Sequence, residues 1–175
     1  MQALTLLLTL QGSPFPLEPG TWWEYRESYT EHLPGLDSTT DETTRFEIRG
    51  TPEHLFVAQT GGVDPTSGPV EQAPGWIRLT PWTGEDPLPL PLLAGAEGPL
   101  EEGVGWRVEA EEEIQVPAGT FRALRCALRA QRAVSLLWIA AGVGVVREIR
   151  GAPGAHPDLE RVLLRFHARS PGRRQ

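Results

Sequence analysis

Trp106 to Arg132 reads WRVEAEEEIQVPAGTFRALRCALRAQR. Two runs of alternating apolar and charged residues flank Pro117, Ala118, Gly119 and Thr120, so the stretch predicts a hairpin of strands 106–116 and 121–132. The expected register sets Ile114 opposite Leu124. Ala110 then faces Leu128 and Val108 faces Ala130 on one side, while Glu113 faces Arg125 and Glu109 faces Arg129 on the other. A one-residue slip would put Glu111 beside Cys126 and Glu109 beside Leu128. Each exposed acid–base pair adds only about 0.2–1 kcal/mol, so such pairs select register more than they stabilise the fold.

The same period-two pattern recurs along the chain. It predicts further strands near 21–30, 43–50, 54–60, 75–80, 134–140, 143–150 and 160–168. Val134–Ala140 and Val143–Arg150 form a second hairpin through Ala141 and Gly142, and Gly144 marks a bulge or a close backbone approach. Helical periodicity rarely outlasts one turn. Consecutive strands with short connections make an antiparallel meander. The expected fold is therefore all-β: a curved antiparallel sheet, half-barrel or open barrel, with few helices. The stretch 81–105 departs from the pattern, because Pro87, Pro89 and Pro91 alternate with Leu88, Leu90 and Leu92. Proline at every second place cannot serve a central strand, so this stretch is expected as an extended chain crossing the sheet or covering an open end. A second Gly/Pro loop is expected over 61–75.

The chain has 175 residues, of which 39% are hydrophobic and 22% charged, the size and composition of a single soluble domain. No apolar run reaches the roughly 18 residues of a membrane-spanning helix. The net charge of −7 argues against a general nucleic-acid binder. Residues 1–118 carry five Arg against twenty acids, and residues 119–175 carry eleven Arg against three acids. The basic residues lie inside strand-like segments, so acidic strands are expected to pair with basic ones in one sheet. Lys and Asn are absent. Missing Asn together with Arg, Ala, Gly, Pro and Leu enrichment suggests a thermophile with a GC-rich genome, and missing Lys removes Schiff-base and Walker-lysine chemistry.

Leu4–Leu10 (LTLLLTL) has the length of a signal-peptide hydrophobic region, although no basic residue precedes it. Residues 1–12 are read as a signal-peptide remnant and 13–175 as a single β domain. The competing reading is a buried first strand or short helix.

Catalytic patterns are sparse. His32, His54, His156 and His167 do not stand at metal-ligand spacing, and no GxSxG occurs. Cys126, the one cysteine, shares a face with Leu124 and Leu128 and is read as a buried, unactivated thiol. No catalytic residue, metal or cofactor is expected. Glu112 points with Val108, Ala110 and Ile114 towards the apolar side. It is expected either at a wet rim or, if buried, paired with an Arg such as Arg132. Six tryptophans are many for this length. An aromatic-lined concave face could hold an apolar ligand, with Trp76, Trp82, Leu88, Leu90, Trp106 and Trp138 as the candidate lining.

Three segments carry a resemblance. Phe15-Pro16-Leu17 with Gly20, Trp23 and Tyr25, then Val116–Phe121 (VPAGTF), then Trp138–Glu148 (WIAAGVGVVRE) resemble, in the same order, motifs of an uncharacterised family of small exported bacterial proteins. Ala141 stands where that family usually has proline and Arg147 where it has lysine. The resemblance implies export and a half-barrel similar to periplasmic lipoprotein carriers, and it supplies no catalytic residues.

These readings lead to a non-enzymatic cell-envelope protein, periplasmic or secreted, that binds a lipid-like or apolar molecule on its curved sheet. The alternative is a structural or assembly module that acts through an envelope protein partner, by an exposed strand edge. A hydrolase with dispersed His and Glu, built on His54 or His167, is the third.

Overall fold

The computed structural model describes residues 14–34, 36–62, 66–73, 75–80, 87–90, 92–101, 104–129 and 133–169. Twelve strands follow in chain order: β1 (Trp22–Leu33), β2 (Leu36–Thr51), β3 (His54–Gly61), β4 (Ser67–Ala73), β5 (Trp76–Leu79), β6 (Leu88–Pro89), β7 (Glu97–Glu101), β8 (Val104–Val116), β9 (Gly119–Arg129), β10 (Val134–Ala140), β11 (Gly144–Gly151) and β12 (Leu159–His167). They form one antiparallel sheet in the order β6-β5-β4-β3-β2-β1-β12-β11-β10-β9-β8-β7. The all-β antiparallel meander read from the alternation is the observed fold, and no helix occurs among the described residues.

Chain connectivity requires the sheet to curl. β6 and β7 stand at opposite ends of the strand order, about 53 Å apart if twelve strands lay flat at about 4.8 Å spacing. Eight residue steps from Pro89 to Glu97 span at most about 29 Å. Leu88, just before that connection, and Leu92, within it, are fully buried in the core. The proline–leucine stretch thus runs from one sheet edge to the other. It also contributes short edge strands, β6 and β7, at its two ends.

The hairpin register differs from expectation. Ile114 lies opposite Phe121, Glu113 opposite Arg122 and Glu111 opposite Leu124. Val116 pairs with Gly119, so the turn has two residues, Pro117 and Ala118, where four were expected. Gly119 makes this possible with φ +137, a region open chiefly to glycine. A bulge between Val108 and Ala110 shifts the register once more and sets Val108 against Cys126. Acid–base pairing survives diagonally: Arg122 Nε reaches Glu111 at 2.5 Å, Arg125 Nε reaches Glu109 at 3.1 Å, and Arg129 Nη2 reaches Glu109 at 3.5 Å. The expected Glu109–Arg129 pair forms, whereas Glu113 stands opposite Arg122. Ala130 and Arg132 lie outside the described residues.

Two other expectations are corrected. Ser67–Ala73, read as loop, is a strand between β3 and β5. β2 begins at Leu36, seven residues before the expected start at Thr43. Residues 1–12, read as a signal remnant, lie outside the described residues.

Candidate functional site

Residues directly opposite in neighbouring strands share a face. One face therefore runs through Trp23, Tyr25, Glu27 and Tyr29 on β1, Phe46 and Thr44 on β2, and Arg161 and Leu163 on β12. It continues through Glu148 on β11, Leu137 on β10 and Cys126 on β9. This is the core face. Trp23, Tyr25, Phe46, Ile48, Leu163 and Ile139 are fully buried.

The ladder between β11 and β12 spans only Arg147–Arg150 with Leu159–Val162. Beyond it the strands splay, and the freed carbonyls find partners from elsewhere. Trp23 Nε1 donates to Val143 O at 2.5 Å, and Tyr25 Oη donates to Val145 O at 2.7 Å. Ala118 N, in the β8–β9 turn, donates to Leu163 O at 3.2 Å. The three motif segments thus meet at one place, where side chains and a turn replace missing ladder bonds. Burial raises the Tyr25 phenol well above its usual range, with Glu148 and Glu27 adding to the effect against Arg161.

Further along the same face lies a buried ionic group. Arg161 Nε donates to Glu27 Oε1 at 2.5 Å and Arg161 Nη1 to Glu148 Oε2 at 2.7 Å. Their side chains are 8%, 1% and 3% exposed, so all three charges have left water. Thr44 Oγ1 and Tyr29 Oη donate to the second Glu27 oxygen at 2.6 and 3.0 Å, and Arg150 Nη2 donates to Glu148 at 2.7 Å. The Arg161 guanidinium also stands 5.1 Å from the Phe46 ring centroid and 5.8 Å from that of Tyr25. Burial opposes the Arg161 charge, and Glu148 and Glu27 outweigh it, raising its pKa. Burial, then Glu27, pushes the Tyr29 phenol up to about 12. The sequence does carry a signal for this cluster: Glu27 continues the alternating set Trp23, Tyr25, and Arg161 precedes Leu163 by two. The pairing itself joins residues 134 apart.

The other half of the β1–β2 hairpin is a projecting arm. β1 pairs with β12 up to Tyr29–Leu159, and β2 pairs with β3 only from Thr44 onward. From Leu36 to Asp41 every residue is exposed, with Leu36 at 66%. At the base of the arm a polar groove of about 400 Å³ is lined by Ser28, Thr30, His32, Asp37, Thr39, His156, Pro157 and Glu160. His32 Nδ1 lies 3.1 Å from Asp37 Oδ1, and its Nε2 lies 3.4 Å from Pro157 O and 3.8 Å from Asp158 Oδ1. The hydrogen bond to Asp37, with weaker help from Pro157 and Asp158, raises the His32 pKa.

Of the predicted ligand-lining residues, Leu88 and Trp138 belong to the core cluster, and Leu90 and Trp106 pack against it. Leu88 is core, and Trp138 is 6% exposed. Trp138 faces away from Leu137 and Ile139, with Arg147 5.1 Å from its ring centroid and its Nε1 hydrogen-bonded to Glu112. Trp76, beneath Arg78, together with Leu90 and Trp106, is half-buried. Trp82 lies outside the described residues. Glu112 shares its face with Ile114 as expected, but the bulge turns Val108 to the opposite face, against Cys126. Glu112 takes Arg125 Nη1 at 3.6 Å, with its side chain 36% exposed. Burial pushes the Cys126 thiol up to about 12, which keeps it unreactive at neutral pH. His167 stacks on Trp22, and His54 is exposed at the start of β3. Among the described residues no group of three or more His, Cys, Asp or Glu is arranged to hold a metal. An apolar groove of about 270 Å³ lies on the other face, between Leu136, Ile149 and the β11–β12 loop.

No family model and no curated protein matches the sequence. Two solved structures do match the fold. One is a candidate lipoprotein from Parabacteroides distasonis ATCC 8503, with a TM-score of 0.52 and 14% identity over 88% of this chain and 98% of that one. The other is a candidate exported protein with a YmcC-like fold from Bacteroides fragilis NCTC 9343, with a TM-score of 0.53 and 12% identity over 87% and 98%. The likeness is one of fold.

Proposed function

We propose that this chain is a non-enzymatic, exported cell-envelope protein that acts as an assembly module, presenting its β1–β2 arm to a protein partner. The observation that carries this reading is the contrast within one hairpin. Its inner half is sealed into a core face filled by the chain's own side chains, while Leu36–Asp41 in its outer half stands in solvent. Exposed ordered strand is retained at a cost in solubility, and a contact role accounts for it. One fold neighbour is described as a lipoprotein and the other as an exported protein, which supports the envelope setting.

The test is site-specific photo-crosslinking in the native cell. A photoreactive residue at Leu36 or Thr40 is expected to capture one defined partner, while the same residue at exposed Phe56 on β3 captures none. Equal capture at all three positions, or none at any, overturns the reading.

A second reading has its own observation. The groove beside Leu136 and Ile149 is apolar and open, and supports binding of a lipid-like molecule. Native mass spectrometry of protein drawn from the envelope fraction is expected, on that reading, to show an extractable adduct that Leu136→Arg abolishes. A bare mass removes it.

A further inference from the structure

The arm has two long sides, and they differ. On the β1 side the β11–β12 loop closes in: Thr30 N donates to Asp158 O at 2.9 Å, His32 reaches Pro157 and Asp158, and the His32 and His156 rings stand 5.9 Å apart. On the β2 side Gly61 and Gly62 at the end of β3 stand against Thr43 O and the Glu42 carboxylate, and no strand among the described residues pairs with Leu36–Asp41. The sheet's terminal edges are treated quite differently. β6 is two residues long and ends in Pro89, and β7 contains Pro99 with a register break beside it. Short strands, prolines and bulges are the ordinary means of stopping another chain from pairing with an edge. Leu36–Asp41 has none of these three and relies on charge alone, since Asp37 and Asp41 repel a strand of like charge. Its register against β1 runs unbroken from Leu36 to Glu47, and Thr39 and Thr40 are β-branched residues suited to a strand.

Charge identifies what can add there. Between Glu27 and Arg45 the sequence holds no Lys or Arg, and the arm carries Glu31, Asp37, Asp41 and Glu42. A second copy pairing symmetrically about Thr39 and Thr40 would set Asp37 against Glu42 and Ser38 against Asp41, bringing together eight carboxylates with no guanidinium. Like charges directly opposite destabilise a strand pair, and opposite charges support it. Resting on the arm as the contact element, we infer that the free edge of Leu36–Asp41 takes an extended, Arg- or Lys-bearing segment of a partner protein as an added strand. Main-chain hydrogen bonds would supply the affinity and the carboxylates the selection.

The test uses the intact protein, nitrogen-15 labelled, titrated with an acetylated, amidated heptapeptide of alternating valine and arginine. Two controls go with it: the same peptide N-methylated at alternate residues, and its glutamate counterpart. Chemical-shift changes and at least tenfold slower amide exchange are expected at 36–41 with the arginine peptide. N-methylation, the glutamate peptide and the D37N/D41N variant are each expected to weaken binding tenfold or more. Equal binding of the N-methylated peptide would mean attraction by charge alone and overturns edge addition. So does binding centred on another acidic strand such as Glu111–Glu113, or no binding. If the peptide fails while Leu36 still crosslinks a partner in cells, edge addition falls and the arm reading stands. If both fail, the arm reading falls as well.

Discussion

The inner and outer halves of the β1–β2 hairpin share one continuous register, yet they obey different rules. In the inner half Trp23, Tyr25 and Glu27 alternate with half-buried or exposed Trp22, Glu24 and Arg26, and each inward group has a partner across the sheet. In the outer half both faces are wet and no alternation exists. Ladder pairing alone sustains a strand sterically. Burial of one face gives it a place in the fold and an energetic reason to stay there.

The largest break in that comparison should come at Arg161. Arg161→Met leaves Glu27 and Glu148 buried without their shared cation, and removing one member of a buried ionic group costs about 3–5 kcal/mol. Urea unfolding is expected to show a loss of this size, whereas a loss under 1 kcal/mol would mean that the cluster is wet. Tyr25→Phe comes next. It strips Val145 O of its donor at the splay, and an unsatisfied buried carbonyl costs about 1–3 kcal/mol. Thermal unfolding should fall by about 2–4 °C per kcal/mol at this chain length.

Alkaline pH gives a smaller, graded contrast. Burial and Glu27 push Tyr29 up to about 12 in the folded chain from 10.0 when free. A group whose folded pKa is raised lends stability that is complete below the unfolded value and is lost as pH rises through the folded one. Stability should therefore decline between pH 10 and pH 12, with Tyr25, also raised, adding in the same direction, and Tyr29→Phe should lessen that decline. His32, in the arm, has the same sign with a raised pKa: its contribution is full below about 6.5 and fades above that, and His32→Gln removes the dependence. The smallest effect belongs to the tip. Leu36→Ser should leave stability within about 0.5 kcal/mol, as surface changes do.

How much of this the sequence discloses follows the same division. Strands with one buried face, such as the inner halves of β1 and β2, are legible because alternation records burial, whereas β10, buried on both faces from Leu137 to Ala140, is legible as a short apolar run. Leu36–Asp41 (LDSTTD) in the outer half of β2 stands in solvent and leaves no pattern. β4 is hidden by Pro69 and by its lack of apolar periodicity. The β8–β9 pairing is legible as a hairpin, while its register depends on a two-residue turn and a bulge at Glu109 that alternation does not encode. Three motif segments are visible as local strings. Their meeting at the β11–β12 splay is a product of long-range curling. The arm, as a candidate site, is the least legible element, since strand propensity without a buried face resembles loop composition.

Amide hydrogen exchange on the intact protein tests the central contrast most directly, because it reads the two halves of one hairpin side by side. The outward-facing amides of Leu36–Asp41 are expected to exchange nearly as fast as unfolded chain, while Trp23, Tyr25 and Glu27 exchange orders of magnitude more slowly. Equal protection along the whole of β1 and β2 would mean that the arm's edge is already covered, and would contradict the account.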